Sequence, residues 1–171
     1  MSELAALLVR FRKGADVLES AVRDVTPEEW DYIPAPGRWT MRQVVAHVTD
    51  GEIVGADRFR RVIAEENPTL VNYDEQAWAE RLDYARRHPL QDLELFRRTR
   101  ALSASLLASQ PEPVFARVGT HSMRGPMSLR DLLVDYANHP EGHARQIEKN
   151  REAFRKARAE KVYSKGDRTG L

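Results

Sequence analysis

The 171-residue sequence contains no cysteine. That absence excludes disulfides, thiolate metal ligation and a cysteine nucleophile together, and leaves nitrogen and oxygen donors for any metal chemistry. Charge of one sign is not in excess either: 27 Lys and Arg stand against 26 Asp and Glu, a formal net charge of +1. A chain so balanced has no global field to draw it to nucleic acid or anionic lipid, so neither partner is expected and any charged ligand must be recognised locally. No run approaches the roughly 20 apolar residues of a membrane-spanning helix. The first stretch, MSELAALLVRFRKGADVLES, lacks the continuous apolar segment and small-residue cleavage site of a secretory signal. The reading is therefore cytoplasmic. Alternating strand patterns, internal repeats and low-complexity tracts are missing as well, which argues for an all-helical chain.

What is present is helical periodicity. Leu4, Leu7, Leu8, Phe11, Ala15, Leu18 and Val25 recur at three- and four-residue intervals and predict a helix over about residues 2–23. Thr26-Pro27-Glu28-Glu29 reads as a cap and a short helical turn, and Ile33 to Gly37, with two prolines, as a loop. Thr40 with Gln43 forms a capping-box pair ahead of a long helix reaching about Glu66, which Asn67-Pro68 ends. A short helix is expected from Asp74 to Tyr84, and a third long one along Leu90 to Leu107, stopping before Pro111. Residues 111–127 read as a long connection, after which Ser128 and Asp131 cap a fourth helix carrying Leu129, Leu132, Leu133, Tyr136, His143 and Ile147 on one stripe. Four long helices with two lengthy connections predict a four-helix bundle without a sheet. One domain over residues 1–160 with a flexible tail at 161–171 is expected, since this length suits a single core.

The histidines carry the chemistry. His47 lies between Val44 and Val48 and should point inward; His139 and His143 are four apart, so their rings share one helix face. Three imidazoles gathered in a bundle can hold a divalent metal, with water or substrate completing its sphere; the alternative for each is a buried histidine bonded to a neighbour. Each ligand must be neutral, so affinity is expected to fall as pH drops through the ordinary histidine value near ~6.5. The pattern is not the zincin H-E-x-x-H, and Glu141, two residues after His139, is not assigned as a general base. Pro140 removes a main-chain donor between the paired histidines and its ring opposes the Tyr136 carbonyl, so a kink is expected.

Other polar residues read as background. His88, before Pro89, is solvated; His121, in the long connection, is exposed, the alternative being a pocket residue near the metal. Asp50, one turn beyond His47, either orients a ligand imidazole or caps at the surface. Arg98 and Arg100, with Arg97 on the same helix, form a solvated charged face, the alternative being an anion-binding pair. Trp30, Trp39 and Trp78 are packing residues, and the basic run from Arg145 to Lys161, interleaved with Glu148, Glu152 and Glu160, is a solvated helix face.

Two segments resemble a known family. Trp39-Thr40-Met41-Arg42-Gln43-Val44-Val45-Ala46-His47-Val48, followed by Glu52, is similar to the second-helix motif of the DinB-like (DinB/YfiT) superfamily. Ser128-Leu129-Arg130-Asp131-Leu132-Leu133, then His139, His143, Gln146 and Ile147, resembles its last-helix motif. Leu95 to Ala101 and Gly119 to Gly125 add weaker likeness, so the resemblance spans about residues 5–155. It implies a four-helix bundle with a long crossover, often a homodimer, with zinc or nickel on His47, His139 and His143. This chain departs from the family in placing Pro140-Glu141-Gly142 between the last two histidines.

The expectation that follows is a metal-dependent enzyme acting on a small molecule, in which the cation lowers the pKa of bound water or of a substrate thiol. The family implies transferases using low-molecular-weight thiols such as bacillithiol or mycothiol, and enzymes of hydrolase type; thiol transfer is narrowly preferred here. The competing reading is a non-catalytic, dimeric, stress-related metal-binding protein.

Overall fold

The structure, a computed structural model, describes residues 2–166, with side chains described through Lys161. Helices α1 (Glu3–Ala21), α3 (Met41–Ala64), α5 (Pro89–Ala108) and α6 (Leu129–Gly166) form the bundle, and α2 (Pro27–Trp30) and α4 (Glu75–Arg81) lie in the connections. The tail expected over 161–171 therefore begins as a continuation of α6 to Gly166, and only its residues 167–171 fall outside the described residues.

Helix starts follow the local chemistry of the chain. Thr40 Oγ1 accepts from Gln43 N at 3.3 Å while Gln43 Oε1 accepts from Thr40 N at 2.9 Å, closing the expected capping box of α3. Asp74 Oδ1 caps α4 through Ala77 N at 3.0 Å, and Asp131 Oδ2 accepts from Ser128 N at 2.9 Å at the head of α6. The far end of α3 is closed from a distance. Arg117 donates to the Val62 and Glu65 carbonyls at 2.9 and 2.7 Å, satisfying acceptors that the helix terminus leaves free.

One expectation needs correction. A small sheet joins the connections: β1 (Thr69–Leu70) pairs parallel to β2 (Val118–His121), which pairs antiparallel with β3 (Gly125–Ser128). Strands of two to four residues are too short to show alternation, yet pairing satisfies backbone groups of segments that cross the bundle end, as in Thr120 N to Pro68 O at 2.8 Å. Glycine at 119 lets the strand lie close against α3, since a Cβ would lie 3.0 Å from Val62 Cγ2 and 3.1 Å from Leu70 and would press on both side chains.

In the bundle α1 and α3 are diagonal, and each touches both α5 and α6. The apolar core falls into two main clusters. One holds Leu4, Phe11, Phe59, Val62, Leu107, Leu132, Leu133, Tyr136 and Ala137; the other holds Leu18, Trp30, Met41, Val44, Val48, Phe96, Ala144 and Ile147. Along α6 the interval between Ala137 and Ala144 belongs to neither cluster, and the facing interval of α3 lies between Val48 and Phe59. A polar layer therefore crosses the middle of the bundle.

Candidate metal centre

The centre of that layer is Arg100 of α5, which is 1% exposed. It is not part of a solvated face. Its guanidinium donates to Glu52 Oε2 of α3, to the Phe11 carbonyl of α1 at 3.0 Å and to the Tyr136 carbonyl of α6 at 3.0 Å, tying all four long helices. The last bond answers Pro140. A proline has no N–H for the carbonyl four residues before it, so the Tyr136 acceptor would be buried without a partner if Arg100 did not supply one. α6 thus continues through Pro140. Glycine at position 14 completes the arrangement, because a Cβ there would lie 2.5 Å from Arg100 Nη1 and 2.8 Å from Pro140 Cγ. Arg97 and Arg98, by contrast, are exposed and pair with Glu94.

Beside this layer His47, His139 and His143 converge. Their ring centroids are 4.6 to 5.2 Å apart, and one nitrogen from each lies within 4.8 Å of the others. His47 Nε2 and His139 Nε2 are separated by 3.2 Å. Two nitrogens at about 2.05 Å from one ion lie roughly 2.9 Å apart at a right angle and roughly 3.3 Å apart at the tetrahedral angle, so this spacing fits shared ligation. Gly51 permits the approach, since a Cβ there would meet His139 Cε1 at 2.9 Å and the Tyr73 hydroxyl at 3.4 Å.

Protonation favours ligation too. Burial first, and the neighbouring His143 second, hold His47 down to about 4; burial, the two other imidazoles and Arg100 hold His139 down to about 2. His143 is lowered by burial and partly restored by Gln146, whose Oε1 lies 2.9 Å from Nδ1. With the proton on Nδ1 facing that amide oxygen, the Nε2 lone pair of His143 is free for a ligand. Nδ1 of His47 and Nδ1 of His139 are buried with no hydrogen-bond partner among the described residues, and the two Nε2 atoms that face each other are the ones placed to share an ion. Three neutral, desolvated imidazoles of this spacing are a donor set that fits a divalent transition metal.

The remaining candidates divide. Asp50 is buried but faces away, accepting from Tyr84 Oη at 2.8 Å and pairing with Arg87 at 2.7 Å, so it neither orients an imidazole nor lies at the surface. His121 is 4% exposed at the end of β2, not solvent-facing as expected, with Nδ1 accepting from Met123 N at 3.2 Å. It lines a cleft of about 530 Å³ whose wall also includes His139 and His143, without joining the three-nitrogen group. His88 is exposed. Glu141 is engaged with Arg10 at 2.5 Å, consistent with no role as a base. Trp30 packs in the core, Trp39 lies 5.0 Å from the His47 ring, and Trp78 stacks on Tyr73 at 4.4 Å.

Sequence reading missed Tyr73 and Arg58, which line the same cleft. Burial foremost, then Glu75, pushes the Tyr73 phenol up, so it remains a proton donor throughout the physiological range. Tyr73 sits in a connection with no periodicity to mark it. Arg58 did leave a signal: His47, Gly51, Gly55 and Arg58 follow one helix face at steps of four, four and three.

The profile of the DinB superfamily matches residues 10–147. A protein of Oceanobacillus iheyensis, named a candidate metal-dependent hydrolase, is 32% identical over 132 residues, covering 77% of this chain and 76% of that one. YfiT of Bacillus subtilis, also named a candidate metal-dependent hydrolase, is 30% identical over 131 residues, 76% of this chain and 74% of its own. The solved structure of YfiT, described as a metal-dependent hydrolase candidate with an unusual four-helix bundle topology, matches with a TM-score of 0.81 at 27% identity, over 92% of this chain and 90% of that one.

Proposed function

This chain belongs to the DinB superfamily, and from that premise we propose that it is a cytoplasmic metal-dependent hydrolase of small molecules, with His47, His139 and His143 holding one zinc or nickel ion. The observation that carries the reading is the convergence of three neutral imidazoles, His47 buried and His139 and His143 half-buried on the wall of a cleft of about 530 Å³, a size that suits a small-molecule ligand. When bound, a divalent ion of this kind supplies Lewis acidity and a water that is readily deprotonated near neutral pH.

The chain's own residues do the rest. Gln146 holds the His143 ring through Nδ1, and Gly51 lets the Tyr73 hydroxyl approach the His139 edge. Tyr73, protonated throughout, donates a hydrogen bond to a substrate oxygen in the cleft. Glu75, an exposed carboxylate on the same wall that forms no ion pair among the described residues, accepts a proton from a group bound there. The relatives' names favour hydrolysis over the thiol transfer preferred from sequence; with no cysteine of its own, the chain would take any thiol from outside. A homodimer is proposed as the assembly.

Metal analysis of the purified protein, then a panel of small esters and amides with and without chelator, tests the reading. One ion per chain and chelator-sensitive product release support it. Turnover only with an added low-molecular-weight thiol, which is consumed, would move the assignment to transfer; one tightly held ion without turnover on either panel would favour the non-catalytic alternative.

A further inference from the structure

Among the described residues, the cleft wall carries one positive charge with no carboxylate in ion-pair contact. Arg58, half-buried on α3, is 11 residues beyond His47 on the same face, and its side chain reaches the Tyr136 hydroxyl beside His139. It donates to the Tyr136 hydroxyl at 3.2 Å and to the Val71 carbonyl at 2.7 Å, both neutral acceptors, and its Nε is buried with no partner among the described residues. No carboxylate among the described residues lies within ion-pair distance of it, whereas Arg124, the other arginine on this wall, is matched by Asp135 at 2.5 Å. A guanidinium taken partly out of water without a counter-ion is costly, and it is held here by two bonds that leave other N–H groups available.

The field of Arg58 is felt across the cleft. Burial lowers His121 first, and Arg58 lowers it next; Arg58 also opposes the upward push of burial on Tyr73 and Tyr136. The Gly55 position keeps the approach open, because a Cβ there would lie 2.4 Å from the Tyr136 ring that supports the guanidinium.

We propose that Arg58 forms a carboxylate-recognition subsite, so that the substrate is a monoanion whose carboxylate sits at Arg58 while its reacting group lies beside His139 and His143. One unmatched cation calls for one negative charge, and because the guanidinium bonds the Tyr136 hydroxyl while the Tyr136 and His139 ring centroids are 6.4 Å apart, a small molecule is long enough to reach both. This rests on the metal reading of the three histidines, and the two can fail separately. The test uses cobalt(II)-loaded protein and a series of linear monohydroxamates in which the far end is either a carboxylate or a methyl group, followed by the cobalt absorption spectrum and by calorimetry.

Hydroxamates chelate metal, so binding that disappears with chelator reports the metal site. The subsite predicts that, at one chain length of the series, the carboxylate tail binds about tenfold more tightly than the methyl tail, as one charge-assisted contact allows. Arg58→Gln should bring that ratio to about one with cobalt content unchanged, and Arg58→Lys, which keeps the charge, should retain part of it. A wild-type ratio near one at every chain length, or a preference abolished by Arg124→Gln and kept in Arg58→Lys and Arg58→Gln, overturns the proposal. Protein that takes up no cobalt would instead remove the metal reading beneath it.

Discussion

Replacing Arg100 with methionine removes a side chain of α5 that bonds to each of the other three long helices. Three losses follow. Glu52, 0% exposed, is left with a buried carboxylate and no cation, a change that costs about 3–5 kcal/mol when one partner of a buried pair is deleted. The Phe11 and Tyr136 carbonyls each lose a donor, on the order of 1 kcal/mol apiece. Methionine recovers some packing against the Phe11 and Phe96 rings, over which the guanidinium now lies at 4.2 and 4.8 Å. The net expectation for Arg100→Met is a loss of about 4 kcal/mol, which at a urea slope of about 2 kcal/mol per molar moves the unfolding midpoint of metal-free protein down by about 2 M.

The pH dependence gives the sign of the charge term. Burial holds the Glu52 carboxyl above its ordinary value, with Arg100 opposing; without Arg100 it rises further. Folded variant then binds a proton that the unfolded chain releases, so its deficit should shrink as pH falls from 8 toward 5. Pro140→Ala in the variant background restores an N–H for the Tyr136 carbonyl and should return about 1 kcal/mol, more than the same change gives in wild type. A loss under about 1 kcal/mol that does not vary with pH would refute the reasoning, since Glu52 could then not be buried against Arg100.

His47→Ala, His139→Ala and His143→Ala should each abolish stoichiometric metal by elemental analysis while His88→Ala and His121→Ala leave it near wild type; a His47 or His139 variant retaining one tight ion per chain would reject the ligand set. Because burial holds His47 down to about 4, His139 down to about 2 and His143 below its ordinary value, all three are neutral at pH 7, so metal binding should release almost no proton from them, checked by calorimetry in buffers of different ionisation enthalpy, and affinity should decline only below the ordinary histidine value near ~6.5, as His143 and then His47 gain a proton. The same depressed values mean that the unfolded chain takes up protons first, so metal-free stability should fall as pH drops from about 6.5 toward 4 in acid titrations. Gly51→Ala, whose Cβ would sit 2.9 Å from His139 Cε1, should weaken metal affinity by about tenfold or more with a smaller effect on unfolding; unchanged affinity would show that the ring can move freely.

Much of the architecture lay in local chemistry, which is why it was legible. The helices of α1, α3 and α6 follow from apolar spacing, and the α3 capping box was readable because both partners lie within three residues. The i,i+4 pair of His139 and His143 needed only the helix period, and His47 only its place on an apolar stripe. The small sheet was not legible, since strands of two to four residues with glycine and proline carry no period and are stabilised by a partner about 50 residues away, Leu70 against His121. Arg100 was misread for a related reason. Next to Arg97 and Arg98 it looks like part of a charged face, yet one further position turns it into the bundle, where Glu52 and two carbonyls from other helices replace its water. His121, too, lies on the middle strand of that sheet and is buried, a placement the connection's sequence does not mark. Short-range order thus determined which residues are helical and which histidines share a face; the tertiary structure decided which charges are buried, because a charge leaves water only where distant segments bring it its hydrogen-bonding partners.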